Sequence, residues 1–214
     1  MGRSLDPDDH AGQDLLSAVV SGSGFLQRAL TRVGSTFHQV SDPEASRPYM
    51  PGYGTLPAEE GKGLLPWSWA EERLGRSHDY WLATVMPSGA PHLMPVWAVW
   101  HQDRLWFSSA NGSRKARNLA DEPRCTLSTD DALEPVVVQG RAQRVTDQEE
   151  LERMLAAENA KYGTDYGMEM VDATSNSVFA LRPEWVFALD SKDFTGSPTR
   201  FVFGRESGQP SNGP

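Results

Sequence analysis

From residue 80 onward the apolar positions follow a period of two, broken at intervals by turn residues. That is the spacing of strands. Tyr80 to Met86 is rich in aromatic and β-branched residues, and Pro87-Ser88-Gly89-Ala90-Pro91 predicts a hairpin connection. His92 to His101 follows as a longer strand. Pro95, Trp97 and Val99 share one face of it, and Val96, Ala98 and Trp100 share the other. Both faces are apolar, so both are expected to be covered. A barrel interior would cover one; a subunit interface or a flat aromatic ligand would cover the other. Gln102-Asp103 makes the next turn, and Arg104 to Ser109 is the third strand. The pattern then turns helical from about Ser113 and stops before Pro123. Arg124 to Thr129 and Val136 to Val145 return to strand, with Gly140 marking a bulge or sharp bend.

Two further helices are predicted. Pro66 to Leu74 is short, with Ser68 as its cap and Glu71 and Glu72 in its first turn. The other carries a capping box of Thr146 and Glu149 and an apolar stripe of Leu151, Met154 and Leu155, and runs to about Lys161. Tyr162 to Ser177 reads as a loop. Val178 to Leu181 and Trp185 to Asp190 are two strands, or one interrupted at Arg182-Pro183; Thr199 to Phe203 is a last short strand. The domains expected are an N-terminal extension over residues 1–61, a β-rich domain over residues 62–204 and a disordered tail over residues 205–214. The extension is rich in Gly, Ser, Pro and Asp and is expected to be mobile. Leu15, Leu16, Val19, Phe25 and Leu30 could line a helix inside it, which Gly22 and Gly24 would interrupt; a docked helix and a fluctuating one both stay open. Arg47 to Gly54 reads as a turn-rich linker.

Composition narrows the function. The chain has 214 residues, 38% of them hydrophobic, enough for one domain with a core. Twenty basic residues against 29 acidic ones give a net charge of −9, which disfavours nucleic acid. No apolar run reaches the length of a membrane span, and no signal sequence opens the chain. Its one cysteine, Cys125, excludes an internal disulfide framework and fits a reducing cytoplasm. There is no Gly-x-Ser-x-Gly elbow and no P-loop. The five histidines, at 10, 38, 78, 92 and 101, lack ligand spacing, so no metal site is expected; His92 and His101 read as strand-end residues. No acid–base set stands out, and the catalytic residues stay unassigned.

One cluster does stand out. Ser113 can cap the third helix predicted, and Arg114 and Lys115 follow it at once. Cations at a helix N-terminus oppose its dipole, so helix stability does not explain them. Free N–H groups, hydroxyls and two cations at one point can hold a phosphate. A solvated basic turn would show the same residues. The wider sequence favours the phosphate. Phe107 to Leu119, with Ser113-Arg114-Lys115 after an aromatic strand end, resembles the phosphate-binding segment of the pyridoxamine 5′-phosphate oxidase-like superfamily. Tyr80 to Val85, Pro87 to His92 and Pro95 to Trp100 resemble its first two strands, and the similarity spans roughly Gly63 to Phe203.

The resemblance implies a mainly β (α+β) protein: an antiparallel split β-barrel of six or seven strands with short flanking helices, paired as a homodimer with cofactor sites at the subunit interface. It implies flavin mononucleotide (FMN) or the deazaflavin coenzyme F420 as cofactor. Carried over residue by residue, Ser113, Arg114 and Lys115 match the phosphate binders. Ser108 and Ser109 match strand-end cofactor contacts, Val96, Trp97, Ala98 and Val99 match the strand lining the ring, and Arg200 matches an arginine near the C-terminus. The oxidases that act on pyridoxamine phosphate carry an Arg and a Lys on the second strand, where Met94 and Val99 stand here. That departure points to the F420-dependent branch. The function implied is a cytoplasmic oxidoreductase that moves a hydride between F420, or FMN, and a small organic substrate. The alternative is a non-catalytic flavin-, deazaflavin- or haem-binding protein for storage or sensing.

Overall fold

The computed structural model describes residues 42–204. Nine strands join in one antiparallel sheet with three α-helices around it, and the sheet stays open as a split barrel does. β1 is Glu44–Ser46, α1 Trp67–Arg76, β2 Asp79–Val85, β3 Pro91–Trp97, β4 Val99–His101, β5 Arg104–Ala110 and α2 Arg114–Asp121. β6 is Arg124–Thr129, β7 Val136–Val145, α3 Gln148–Tyr162, β8 Asn176–Ala188 and β9 Thr199–Val202. The sheet runs β1-β9-β8-β7-β6-β2-β3, and β5 joins β8 and β4 off that path.

The count exceeds the expected six or seven because the chain adds β1 and divides the second predicted strand at Ala98. β1 pairs with β9, and Arg47 donates from Nη1 to the Pro198 carbonyl at 2.8 Å. The sheet therefore begins well before residue 62, inside the stretch assigned to the extension. The helix considered over Leu15 to Leu30 and the tail at 205–214 lie outside the described residues.

β8 is the spine. It is one strand, not two. Its first half lies between β5 and β7 and its second half between β7 and β9. The handover falls at Pro183, which has no N–H to give a ladder. Gly140 faces it: Gln139 pairs with Trp185 and Gly140 with Pro183, which leaves Glu184 as the extra residue of a bulge. The Gln102-Asp103 turn is also as expected. Both residues have positive φ, 50° and 57°, as a two-residue hairpin of the I′ kind needs.

Inside the barrel, Tyr80, Leu82, Phe107, Leu127, Val138, Leu181 and Phe201 are buried in one cluster. A second cluster sits under α3, where Leu151, Met154 and Leu155 pack with Val99 and Trp106. α1 closes one end; its Trp67 meets Trp100, Phe201 and Phe203 edge-on. Cys125 is buried in β6 and its thiol is pushed up to about 12 by that burial, so it is a core residue, not a nucleophile.

Two caps differ from expectation. α1 starts after Pro66, whose φ of −69° suits a helix entry, so Ser68 lies inside the helix and caps nothing. Glu71 and Glu72 then fall beyond the first turn. α3 is capped by Asp147, not Thr146: its carboxylate accepts from the Glu150 N–H at 2.9 Å and adds negative charge at the dipole's positive end. Among the described residues no helix is long and apolar enough to cross a membrane.

Candidate functional site

The site is built where β5 runs out. Ala110 ends the strand, and Asn111 ties the turn down: its N–H reaches the Ser175 carbonyl at 2.9 Å and its side-chain amide the Ala173 carbonyl at 3.0 Å. Ser177 donates to the Asn111 side chain at 2.6 Å. Gly112 follows, and then Ser113 in extended conformation caps α2 by accepting from the Ala116 N–H at 3.2 Å. Ser109 Oγ lies 2.7 Å from Ser113 Oγ. The two hydroxyls thus share a hydrogen bond at the mouth of the helix, with Ser109 buried behind Ser113.

Arg114 and Lys115 occupy the first helical positions, whose N–H groups precede the helical ladder. Arg114 is exposed and Lys115 half-buried. Neither these two nor Arg117 forms an ion pair among the described residues. Three uncompensated cations on a protein of net charge −9 give this turn a locally positive field at the positive end of a helix dipole. That donor set fits a bound phosphate.

Behind the turn, α2 buries Ala116, Asn118 and Leu119. Ala116 and Leu119 join the barrel core. Asn118 Nδ2 donates to Thr84 Oγ1 at 3.0 Å, and Thr84 Oγ1 lies 3.4 Å from His92 Nδ1. Asn118 is 1% exposed, yet its Oδ1 has no partner among the described residues. A buried acceptor left without a donor is costly and marks a place where a ligand N–H, O–H or water belongs. Sequence reasoning took His92 for a plain strand-end residue and missed this chain. Helical spacing gave no signal for it: Asn118 stands two residues from Ala116 and one from Leu119, off the stripe those two share, and only the fold shows that it is buried.

The other residues expected at the site are not all brought together. Ser108 and Ser109 are neighbours on a strand and point to opposite faces, so only Ser109 reaches Ser113. Val96 and Ala98 are buried in the barrel core and Val99 in the second cluster. Their side chains therefore cannot form an open slot; the alternation breaks because the chain turns a corner at Ala98 and buries two residues in succession. Trp97 alone of the four presents its side chain, at 40% exposure. The backbone edge of β3, unpaired among the described residues, is the other surface a flat ring could meet. Arg200 is distant. It lies opposite Phe187, ten residues further along β8 than Ser177, the partner of Ser109. At about 3.3 Å per residue that is roughly 30 Å of strand. Its Nε donates to Ser46 Oγ instead, at 3.1 Å.

A cavity of about 230 Å³ lies against Arg73, Arg76, Ser77, His78, Asp130 and Glu134, and no residue of the phosphate turn lines it. Arg73 and Arg76 are already paired there with Glu134, at 2.8 and 2.6 Å.

Comparison with known proteins agrees with this architecture. The family model described as pyridoxamine 5′-phosphate oxidase matches residues 70–190. No curated protein matches the sequence. Among solved structures, a conserved hypothetical protein from Mycobacterium tuberculosis aligns at 24% identity and a TM-score of 0.53, over 60% of this chain and 87% of that one. A NimC/NimA family protein from Clostridium acetobutylicum aligns at 17% identity and a TM-score of 0.51, over 64% and 91%. At those identities the likeness is one of fold. An F420 reductase aligns at 24% identity over 54% and 94%, with a TM-score of 0.46 too low to carry an argument.

Proposed function

Because the chain belongs to the pyridoxamine 5′-phosphate oxidase family, we propose that its α2 turn binds the phosphate of a flavin-type cofactor and that the protein is an oxidoreductase acting on a small organic molecule. The observation that carries this reading is the donor set at the start of α2: the backbone amides and side chains of Arg114 and Lys115, which have no partner among the described residues, beside the Ser113 hydroxyl. Ser109 orients Ser113. Trp97 and the free edge of β3 would meet the ring. The bound cofactor supplies the hydride chemistry.

We favour F420 over FMN as that cofactor. Val99, where the flavin-using relatives place a cation, is 3% exposed among Trp106, Leu151 and Met154 and leaves no place for a charge. Met94, at the other such position, is 43% exposed and uncharged. The test is a competitive titration of the apo-protein with F420 and FMN, followed by turnover of the reduced cofactor. F420 is expected to bind more tightly and to be oxidised by a small conjugated acceptor. Stoichiometric FMN that excess F420 fails to displace would reverse the cofactor choice. Binding without turnover of any acceptor would leave a storage or sensing protein, and binding of neither would remove the whole reading.

We also propose that two copies of the chain assemble along β2 and β3. Trp81 and Val85 on β2 and Leu93 and Trp97 on β3 are exposed apolar side chains on one face of a two-strand ribbon whose outer edge is unpaired among the described residues. Such a patch needs a cover, and a second copy presenting the same ribbon would supply one. Light scattering at micromolar concentration should give the mass of a dimer. A monomer there would refute the assembly. A cytoplasmic location is part of the same proposal, since the reduced cofactor is used there.

A further inference from the structure

Ala98 is where the chain leaves one half of the barrel for the other. β3 pairs with β2 as far as Trp97, and β4 pairs with β5 from Val99. Neither ladder serves the peptide group of Ala98, and the residue is 2% exposed, so water does not serve it either. Its partners come from the last turn of α3. The Tyr162 hydroxyl accepts from the Ala98 N–H at 2.9 Å, and its proton lies within reach of the Ala98 carbonyl at 2.9 Å and the His78 carbonyl at 2.8 Å. The Lys161 ammonium donates to the same Ala98 carbonyl at 2.8 Å and to the Tyr80 hydroxyl at 2.9 Å. Tyr80 in turn donates to the Leu74 carbonyl of α1. Gly163, with φ of 65°, ends α3 directly after these two residues and fixes their direction.

The grip extends to the side chain that matters for a ligand. Tyr162 stacks on Trp97 with ring centroids 4.3 Å apart and planes 7° from parallel, and His78 meets both rings edge-on. Of Val96, Trp97, Ala98 and Val99, the four residues expected to line the cofactor ring, Trp97 is the one with an open side chain.

We propose that Lys161 and Tyr162 are positioning residues, a clamp on the Ala98 peptide that fixes the free edge of β3 and the Trp97 indole for the cofactor ring. The proposal rests on the reading of the α2 turn given above. The charge is held there at a cost. Burial pushes the Lys161 ammonium down to about 8, while Asp130 beyond β6 and Asp79 of β2 act in the opposite direction. Tyr80 of β2 and Tyr162 of α3 present their rings to the same ammonium. A lysine serving only solubility would sit in water instead.

The test uses two variants. Tyr162→Phe keeps the ring stack and removes the hydroxyl; Lys161→Met keeps the stem and removes the charge. Each is examined by amide hydrogen exchange without cofactor, then by titration with F420 and with FMN while the absorption band of the bound ring is recorded. In Tyr162→Phe the Ala98 amide should exchange at least about tenfold faster, with the Leu127 and Val138 amides unchanged. In both variants the affinity for whichever cofactor the wild type binds should fall about tenfold, and the bound band should move. Arg114→Ala, by contrast, should weaken binding and leave the band of the saturated protein in place. Unchanged exchange at Ala98 would overturn the clamp. Faster exchange with unchanged affinity and band would overturn the positioning role. If Tyr162→Phe does not fold, Lys161→Met decides on affinity and band alone. Wild-type protein that binds neither cofactor would remove the α2 reading and the positioning role together, whatever the exchange data show.

Discussion

Gly140→Ala should be among the most damaging single substitutions in the barrel. A Cβ at this position would lie 2.0 Å from the Arg182 carbonyl oxygen and 3.1 Å from the Arg182 carbonyl carbon and Leu181 Cδ1. The nearest obstacle is backbone, not the tip of a mobile side chain. β7 and β8 would have to part at the point where β8 passes from one half of the barrel to the other. Overpacking of ordinary side chains costs about 1–3 kcal/mol; a clash with the spine of the sheet should reach the top of that range or exceed it. Against a total stability of about 5–15 kcal/mol that is a large share. Urea unfolding should show the midpoint falling by the corresponding amount. Gly75→Ala is the control, since a Cβ there meets nothing within 4 Å and a helical glycine loses stability relative to alanine. An unchanged midpoint for Gly140→Ala would mean that the bulge can relax in a way the register does not show.

That bulge was legible in the sequence, and the reason it was is physical. A glycine inside an otherwise β-branched and alternating strand has few explanations, and close backbone approach is one of them. The same holds for the Gln102-Asp103 turn and for the Ser113 cap, each of which rests on contacts within a few residues. What the sequence did not disclose depends on long-range contact. β1 is three residues long, and its pairing with β9 spans more than 150 residues. The corner at Ala98 was hidden because His92 to His101 alternates well enough to read as one strand. Only the handover from β2 to β5 shows that Ala98 and Val99 are both buried and that their side chains are closed to a ligand. The clamp by Lys161 and Tyr162 was hidden for the same reason. A lysine and a tyrosine at a helix end are ordinary in sequence, and only the fold brings them to a peptide 63 and 64 residues away. The Asn118, Thr84 and His92 chain was hidden too, since Asn118 could be placed inside a helix but neither its burial nor its partners on β2 and β3 follow from local spacing.

Changing Arg114 and Lys115 together to alanine should cost the cofactor at least about a hundredfold in affinity. Each side chain would make a charge-assisted contact to the phosphate, worth about 1.5–3 kcal/mol, and a hundredfold change in Kd corresponds to about 2.7 kcal/mol. The substitution leaves the Ser113 cap, its bond to Ser109 and the buried Ala116 and Leu119 in place, so the turn should keep its shape. Without cofactor the double variant should be no less stable than the parent. Neither cation forms an ion pair among the described residues, and both oppose the dipole of α2, which alanine does not. The melting temperature of the apo-protein should therefore hold or rise, while the stabilisation that saturating cofactor gives the parent is largely lost. The opposite signs matter: a residue that merely supports the fold would lower the apo melting temperature, and a bystander would change neither quantity. Raising the salt concentration should weaken parental binding more than that of the variant, because the partly exposed cations are screened. Equal affinity of the parent and the double variant for the cofactor the parent binds would remove the phosphate from the α2 turn.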